Sequence, residues 1–193
     1  MKNNVLTILT MFLKYGNISY GENCSVLSHS FQAGMIATEK GLDDELVLAA
    51  FLHDIGHLCP LGDESGISEM DGFGMEAHDV LGADFLEGKY FSNKIIATVR
   101  NHVNSKRYLC RVDQKYYEQL SEASKKTMTF QGGVMTEEET KAFEQTPFFE
   151  ESIIIRKIDE AAKGIDFEIL PSHWGLFSNL LLQHFKLTKN EQN

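Results

Sequence analysis

Phe51-Leu-His-Asp-Ile-Gly-His57 is the stretch on which the reading of this chain turns. It sets His53 and Asp54 side by side and follows them with a second imidazole, His57. Adjacent residues on an α-helix point about 100° apart. Neighbours can therefore serve one metal only where the helix is ending or where the ion sits across its last turn. Leu46, Leu48, Ala49, Ala50 and Leu52 predict a helix that delivers the pair at its end, with Asp43 or Asp44 as the N-cap. An imidazole followed by a carboxylate suits two ions, because the imidazole takes one and the carboxylate oxygens can bridge to the other. Alone, the dipeptide would be an incidental helix end, so the rest of the chain decides.

Outward from this stretch the apolar spacing is helical. Val5, Leu6, Leu9, Phe12 and Leu13 form a stripe that ends at Gly16-Asn17. A second helix is expected from about Asn23 to Lys40, with Leu27, Phe31, Gly34 and Met35 on one side and Gly41 to stop it. The Gly- and acid-rich Pro60–Gly74 is long for a plain connection and reads as a functional loop or a mobile one. A helix near Met75–Glu87 carries His78, and Ser92 caps another that runs through Ile95, Ile96 and Val99 to His102. Tyr116–Lys126 is read as helical and Thr127–Met135 as a loop, while Thr136 with Glu139 forms a capping box. Phe148–Lys163, with Ile153, Ile154, Ile155 and Ile158, is a further helix, and Pro171 opens the last. The expectation is an all-α helical bundle, one domain over residues 1–193.

Composition narrows the function. With 42% apolar and 24% charged residues the chain is an ordinary soluble globule. A net charge of −10 argues against a broad nucleic-acid surface but leaves room for a locally basic pocket. Cys24, Cys59 and Cys110 show no metal spacing and fit reduced packing thiols in a cytoplasmic protein. No stretch is long enough for a membrane span, and no signal peptide is expected, so no membrane partner is foreseen. Oligomeric state is not legible.

Imidazoles recur at an even step. His29 to His53, Asp54 to His78 and His78 to His102 are each 24 residues apart, about one helix plus one turn. That step places one histidine on each of four successive helices, whose interior is where bundles build metal sites. Asp159 joins them from the Ile-rich helix, and a carboxylate on a buried face is costly unless paired or metal-bound. Four imidazoles and two carboxylates exceed one tetrahedral ion and suit two ions bridged by Asp54. Such mixed ligation is compatible with iron, manganese or zinc, and iron fits oxygen chemistry best. Lys106 follows His102 by one helical turn, and Arg156 precedes Asp159 on the same face. Together they could receive an anion at the metals, the arginine bidentately.

The order His…His-Asp…His…His…Asp resembles the HD-domain superfamily, in particular its members with two extra histidines. Further segments resemble the mixed-valent diiron oxygenases that act on 2-amino-1-hydroxyethylphosphonate or its trimethylammonio analogue. These are Tyr20-Gly-Glu22, His102-Val-Asn-Ser-Lys-Arg-Tyr-Leu109, Leu120-Ser-Glu-Ala-Ser-Lys-Lys-Thr127, Gln131-Gly-Gly133 and Ile155-Arg-Lys-Ile-Asp159. The resemblance implies that His29, His53, Asp54 and Asp159 hold one iron and that Asp54, His78 and His102 hold the other. It implies that Tyr20 is a resting-state iron ligand and that Glu22 meets the amino end of the substrate. Tyr20 and Glu22 stand one residue closer than in that pattern, and Tyr15 is the alternative tyrosine. His57, Lys106, Ser124, Arg156 and Gln131 would bind the phosphonate. The implied reaction uses an Fe(II)/Fe(III) pair and O2 to cleave the C–P bond, releasing phosphate and glycine or glycine betaine. The alternative is a dinuclear HD phosphohydrolase acting on a nucleotide or phosphate ester through the same six ligands.

Overall fold

The computed structural model describes residues 2–59 and 70–191. Most of the Pro60–Gly74 loop therefore falls outside the described residues. Among the described residues eleven α-helices follow in order, broken by one 3-10 turn at Ile55–Leu58. They are α1 Lys2–Tyr15, α2 Val26–Glu39, α3 Asp44–Leu52, α4 His78–Glu87, α5 Asn93–Arg100, α6 His102–Val112, α7 Gln114–Gln119, α8 Glu122–Phe130, α9 Glu137–Phe143, α10 Phe149–Ala161 and α11 Pro171–Glu191. Among the described residues the only extended pairing is a single bridge between Ser19 and Ser25.

The caps follow the sequence closely. The Asp43, Ser92 and Thr136 side chains accept the amide protons of Leu46, Ile95 and Glu139, and Glu139 returns the bond to Thr136. Ser25 caps α2, so this helix starts later than its apolar spacing suggests. Two expectations are corrected. The helix through Ile95 and Val99 does not run on to His102 but breaks at Asn101, whose side chain bonds Ser152 Oγ at 3.2 Å, and α6 starts afresh at His102. Thr127 to Phe130 belong to α8 rather than to a loop, and Tyr116–Lys126 is split between α7 and α8.

The core lies where α1, α2, α3 and α11 meet. Phe12, Phe31, Phe51 and Phe177 are all fully buried, and Phe51 stacks on Phe177 with centroids 4.2 Å apart. Gly34 lets this stack approach α2: a Cβ there would come within 2.4 Å of the Phe177 ring. α3 also packs on α2 and α5, and α10 crosses α2, α3, α5 and α6. The C-terminal end of α3, the start of α6 and the interior face of α10 are thereby brought to one place. α4 joins them through a backbone contact. A Cβ at Gly56 would lie 1.8 Å from the His78 carbonyl oxygen, so only glycine permits the 3-10 turn to dock there.

Candidate metal centre

The repeating histidines converge, but mostly from helix ends. His29 lies within α2, His53 directly follows α3, and His78 and His102 open α4 and α6. Asp159 comes from the last turns of α10. All five and Asp54 are buried, with exposures of 0% to 5%. The helix end after Leu52 resolves the geometry of the adjacent pair, because Asp54 leaves helical conformation (φ −101°, ψ 10°). Its carboxylate can then face a different way from His53.

Asp54 divides the histidines. Its Oδ2 is 3.5 Å from the Nε2 of both His29 and His53, and its Oδ1 is 3.6 Å from His78 Nε2 and 3.8 Å from His102 Nε2. Asp159 reaches both groups, with Oδ1 3.0 Å from His29 Nε2 and Oδ2 3.3 Å from His102 Nε2.

Backbone partners fix the tautomers. A carbonyl can only accept, so His29, His53 and His78 donate from Nδ1 to Ala162 O (2.9 Å), Ala50 O (2.7 Å) and Met75 O (3.0 Å). Each Nε2 is left with its lone pair turned inward, the pattern of a metal-ligating imidazole. His57 is the opposite case. Its Nδ1 accepts the Met75 amide proton at 3.1 Å, so its neutral ring carries hydrogen on Nε2, 4.0 Å from Asp54 Oδ1. His57 is therefore a donor at the edge of the cluster, stacked on His78 at 4.1 Å. Gly74, at φ +87°, makes this possible, since a Cβ there would lie 2.5 Å from the His57 ring.

The donor set fits metal ions. His29 and His53 turn Nε2 to Nε2 at 3.0 Å, although both spend their Nδ1 hydrogens on carbonyls. Two lone pairs so placed call for a cation between them. Burial lowers the His29 pKa, but hydrogen bonds to Asp159 and Cys24 and the charges of Asp159 and Asp54 outweigh it and carry the group up to about 10. A proton on His29 thus stands in for the cation. Burial keeps His53 and His102 on the neutral side. Burial also opposes ionisation of Asp54, yet the fields of His53, His57 and His78 hold its carboxyl well below the usual range. Arg156 and His102 do the same for Asp159. Anionic carboxylates and neutral imidazoles are the states that ligation needs.

A cationic recess of about 40 Å³ adjoins the cluster. Lys106, only 4% exposed, donates to Thr127 Oγ1 (2.9 Å), Gln131 Oε1 (2.5 Å) and the Ser124 carbonyl (3.5 Å). Burial and the nearby Arg156 charge bring its ammonium down to about 7. Arg156 is buried too, donating to Tyr116 Oη (2.6 Å), to Glu160 (2.6 Å) and to Asp159. The segments singled out in the sequence meet here, because Arg107, next to Lys106, holds the carbonyls of Gly133 (2.9 Å) and Gly132 (3.4 Å). Gly132 and Gly133 have positive φ, +88° and +71° respectively, a turn that other residues adopt only with strain.

Tyr20 and Glu22 also line the recess; Tyr20 belongs to the apolar core as well, and Tyr15 packs against that core without lining the recess. The Tyr20 hydroxyl is buried without a hydrogen-bond partner, and its ring lies 5.4 Å from that of His29. Burial, with the Asp54 charge, raises its pKa. Ser124 lies in the wall at the first turn of α8. Five wall residues were not foreseen from the sequence: Met70, Phe73, Ala123, Thr127 and Lys163. Lys163 reaches the wall from just beyond the end of α10, where Ala162 is the C-cap. The three cysteines are free, and only Cys110 is buried. No helix among the described residues is long and apolar enough to cross a membrane.

Residues 26–163 match the family model of the HD domain. The chain is 38% identical over 165 residues to the [1-hydroxy-2-(trimethylamino)ethyl]phosphonate dioxygenase (glycine-betaine-forming) of Leisingera caerulea, covering 85% of this chain and 82% of that protein. It is 35% identical over 161 residues to the hydroxymethylphosphonate dioxygenase of Gimesia maris, with 82% and 78% covered. An uncharacterized protein of Acanthamoeba polyphaga mimivirus is 35% identical over 188 residues, with 97% and 84% covered. The matched range spans His29, His53, Asp54, His78, His102 and Asp159, and by this match the chain belongs to the HD-domain family.

Proposed function

We propose that this protein is a dinuclear-iron oxygenase that cleaves the C–P bond of a 1-hydroxyalkylphosphonate, working as one HD domain over residues 1–193. The observation that carries the reading is the adjacency of two features. One is a carboxylate, Asp54, with a histidine pair at each oxygen, and the other is a buried recess holding Lys106 and Arg156. The names of two relatives support the same chemistry.

His29, His53, Asp54 and Asp159 would hold one iron, and Asp54, His78 and His102 the other, with Tyr20 as a resting-state ligand. When bound, the irons would supply the redox chemistry with O2. The rest falls to the protein. The Lys106 ammonium and the Arg156 guanidinium neutralise the phosphonate, and Arg156 matches two of its oxygens. His57 Nε2–H donates a further hydrogen bond, and Ser124 and Gln131 complete the cradle. Tyr116 and Glu160 hold Arg156 in plane from behind. Burial excludes water, which strengthens each of these contacts.

The overall reaction balances with one O2 per substrate. The C–P bond breaks, C1 is oxidised to a carboxyl carbon, O2 is the oxidant, and both of its atoms enter the products. Hydroxymethylphosphonate would give formate and phosphate; a 2-amino or trimethylammonio substrate would give glycine or glycine betaine. Iron-loaded protein should release phosphate from a 1-hydroxyalkylphosphonate only when oxygen is admitted. Equal release under anaerobic conditions would instead favour a dinuclear phosphohydrolase.

A further inference from the structure

Glu22 already has a cation. Its Oε1 accepts from Lys163 Nζ at 2.8 Å and from Ser121 Oγ at 2.6 Å, with both charged side chains largely shielded from solvent. Lys163 is itself held by Ser121 Oγ (3.1 Å), Ser124 Oγ (3.0 Å) and Glu160 Oε2 (3.0 Å), so its ammonium is fixed in the wall of the recess. A substrate ammonium that reached Glu22 would bring a second cation to a carboxylate already neutralised. It would also meet the Lys163 charge at contact distance, and like charges that close repel.

An aromatic cage for a quaternary ammonium is poorly served here as well. Phe73 lines the recess, but the exposed Lys126 ammonium sits 4.4 Å from its ring centroid and already takes one cation–π face of it. A Cβ on Gly21 would touch the same ring at 2.3 Å, so the Tyr20–Glu22 loop is packed against it. With Asp54 and Asp159 engaged by metal ions, the charges left facing substrate are Lys106, Arg156, Lys163 and Glu22, a net positive set. A recess of about 40 Å³ is far below the roughly 300–1,000 Å³ of drug-sized sites.

We propose that Lys163 is the specificity-determining residue: by pairing Glu22 it rejects a cationic substituent at C1 and selects 1-hydroxyalkylphosphonates bearing hydrogen or a small uncharged group there, of which hydroxymethylphosphonate is the smallest. This rests on the phosphonate-oxygenase reading above, and the two can fail separately.

The test compares hydroxymethylphosphonate with 2-amino-1-hydroxyethylphosphonate on iron-loaded protein. Binding is measured anaerobically by titration calorimetry, and turnover by phosphate release in air. The wild-type protein should bind and turn over hydroxymethylphosphonate at least tenfold better. Lys163→Gln should shift that ratio at least tenfold toward the amino substrate by releasing Glu22. Glu22→Gln in the wild-type background should change the ratio less than threefold, because Glu22 is already committed, and this variant leaves Lys163 in place should Lys163→Gln not fold. A wild-type preference for the amino substrate, a selective tenfold loss of that substrate in Glu22→Gln, or an unmoved ratio in folded Lys163→Gln overturns the proposal. Binding in the expected order without oxygen-dependent phosphate release upholds the role of Lys163 and overturns the oxygenase reading instead. The absence of binding by either compound overturns both.

Discussion

Lys106→Met tests the anion site through its pH dependence. The ammonium is 4% exposed and, under burial and the Arg156 charge, titrates near 7 rather than at the ordinary 10.5. An anion binds the charged form, so the apparent dissociation constant is the intrinsic one divided by the charged fraction. That fraction is about nine-tenths at pH 6 and about one in a hundred at pH 9, so phosphonate binding should weaken across the interval until it approaches the affinity of the uncharged form. The methionine variant loses a charge-assisted bond worth about 1.5–3 kcal/mol, or roughly 10- to 100-fold at pH 6. Its deficit should shrink toward parity by pH 9, where wild-type Lys106 is itself neutral. Anaerobic calorimetry from pH 6 to 9 on both proteins gives the two profiles, and their ratio cancels the ionisation of the phosphonate. Stability carries the same signature with a definite sign. The folded-state pKa lies below the unfolded one, so the cost of burying the charge is full below pH 7 and is relieved as pH rises toward 10.5. The wild-type denaturant midpoint should rise over that window, and the rise should be missing in Lys106→Met. A constant binding ratio between pH 7 and 9 would refute the reasoning.

Further outcomes follow from the core, the loop and the cluster. Gly34→Ala drives a methyl into the Phe51–Phe177 stack and should destabilise by about 1–3 kcal/mol, read as a lower denaturant midpoint, with activity per folded molecule retained. Gly74→Ala meets both positive φ and the His57 ring, and should raise KM for the phosphonate at least tenfold at a stability cost of about 1–3 kcal/mol, measured by phosphate release and thermal melting. Because His29 is held up to about 10, Fe(II) loading at pH 8 should release about one proton from it, detectable with an indicator in weak buffer. Chelation should reverse this and lower the melting temperature.

Local rules in the sequence carried a good part of the structure. Asp43, Ser92 and the Thr136–Glu139 box each cap a helix through a side-chain bond spanning three residues, so their signal is entirely local. The even histidine step led to one buried cluster although its intervals are not alike: His29 lies in α2 and His53 follows α3, whereas both α4 and α5 lie between His78 and His102, so the histidines do not fall one to each successive helix. What escaped was set by tertiary partners. Asn101 shows no glycine or proline signal, and the break there goes with a bond to Ser152 on α10. Thr127 looks like the start of a loop but remains helical while accepting from Lys106, 21 residues earlier. Lys163 beside Glu160 looks like any solvated pair of charges along a helix. Its bond to Glu22, 141 residues away, gives no trace at short range.

The backbone of Met75 gives its amide hydrogen to His57 and its carbonyl to His78. One residue therefore sets two neighbouring rings in opposite senses, one to give a proton outward and one to offer a lone pair inward. A displacement of this segment cannot release the His57 ring while sparing that of His78, or the reverse. Damage at residue 75 would be all-or-none, with anion recognition and metal affinity lost together.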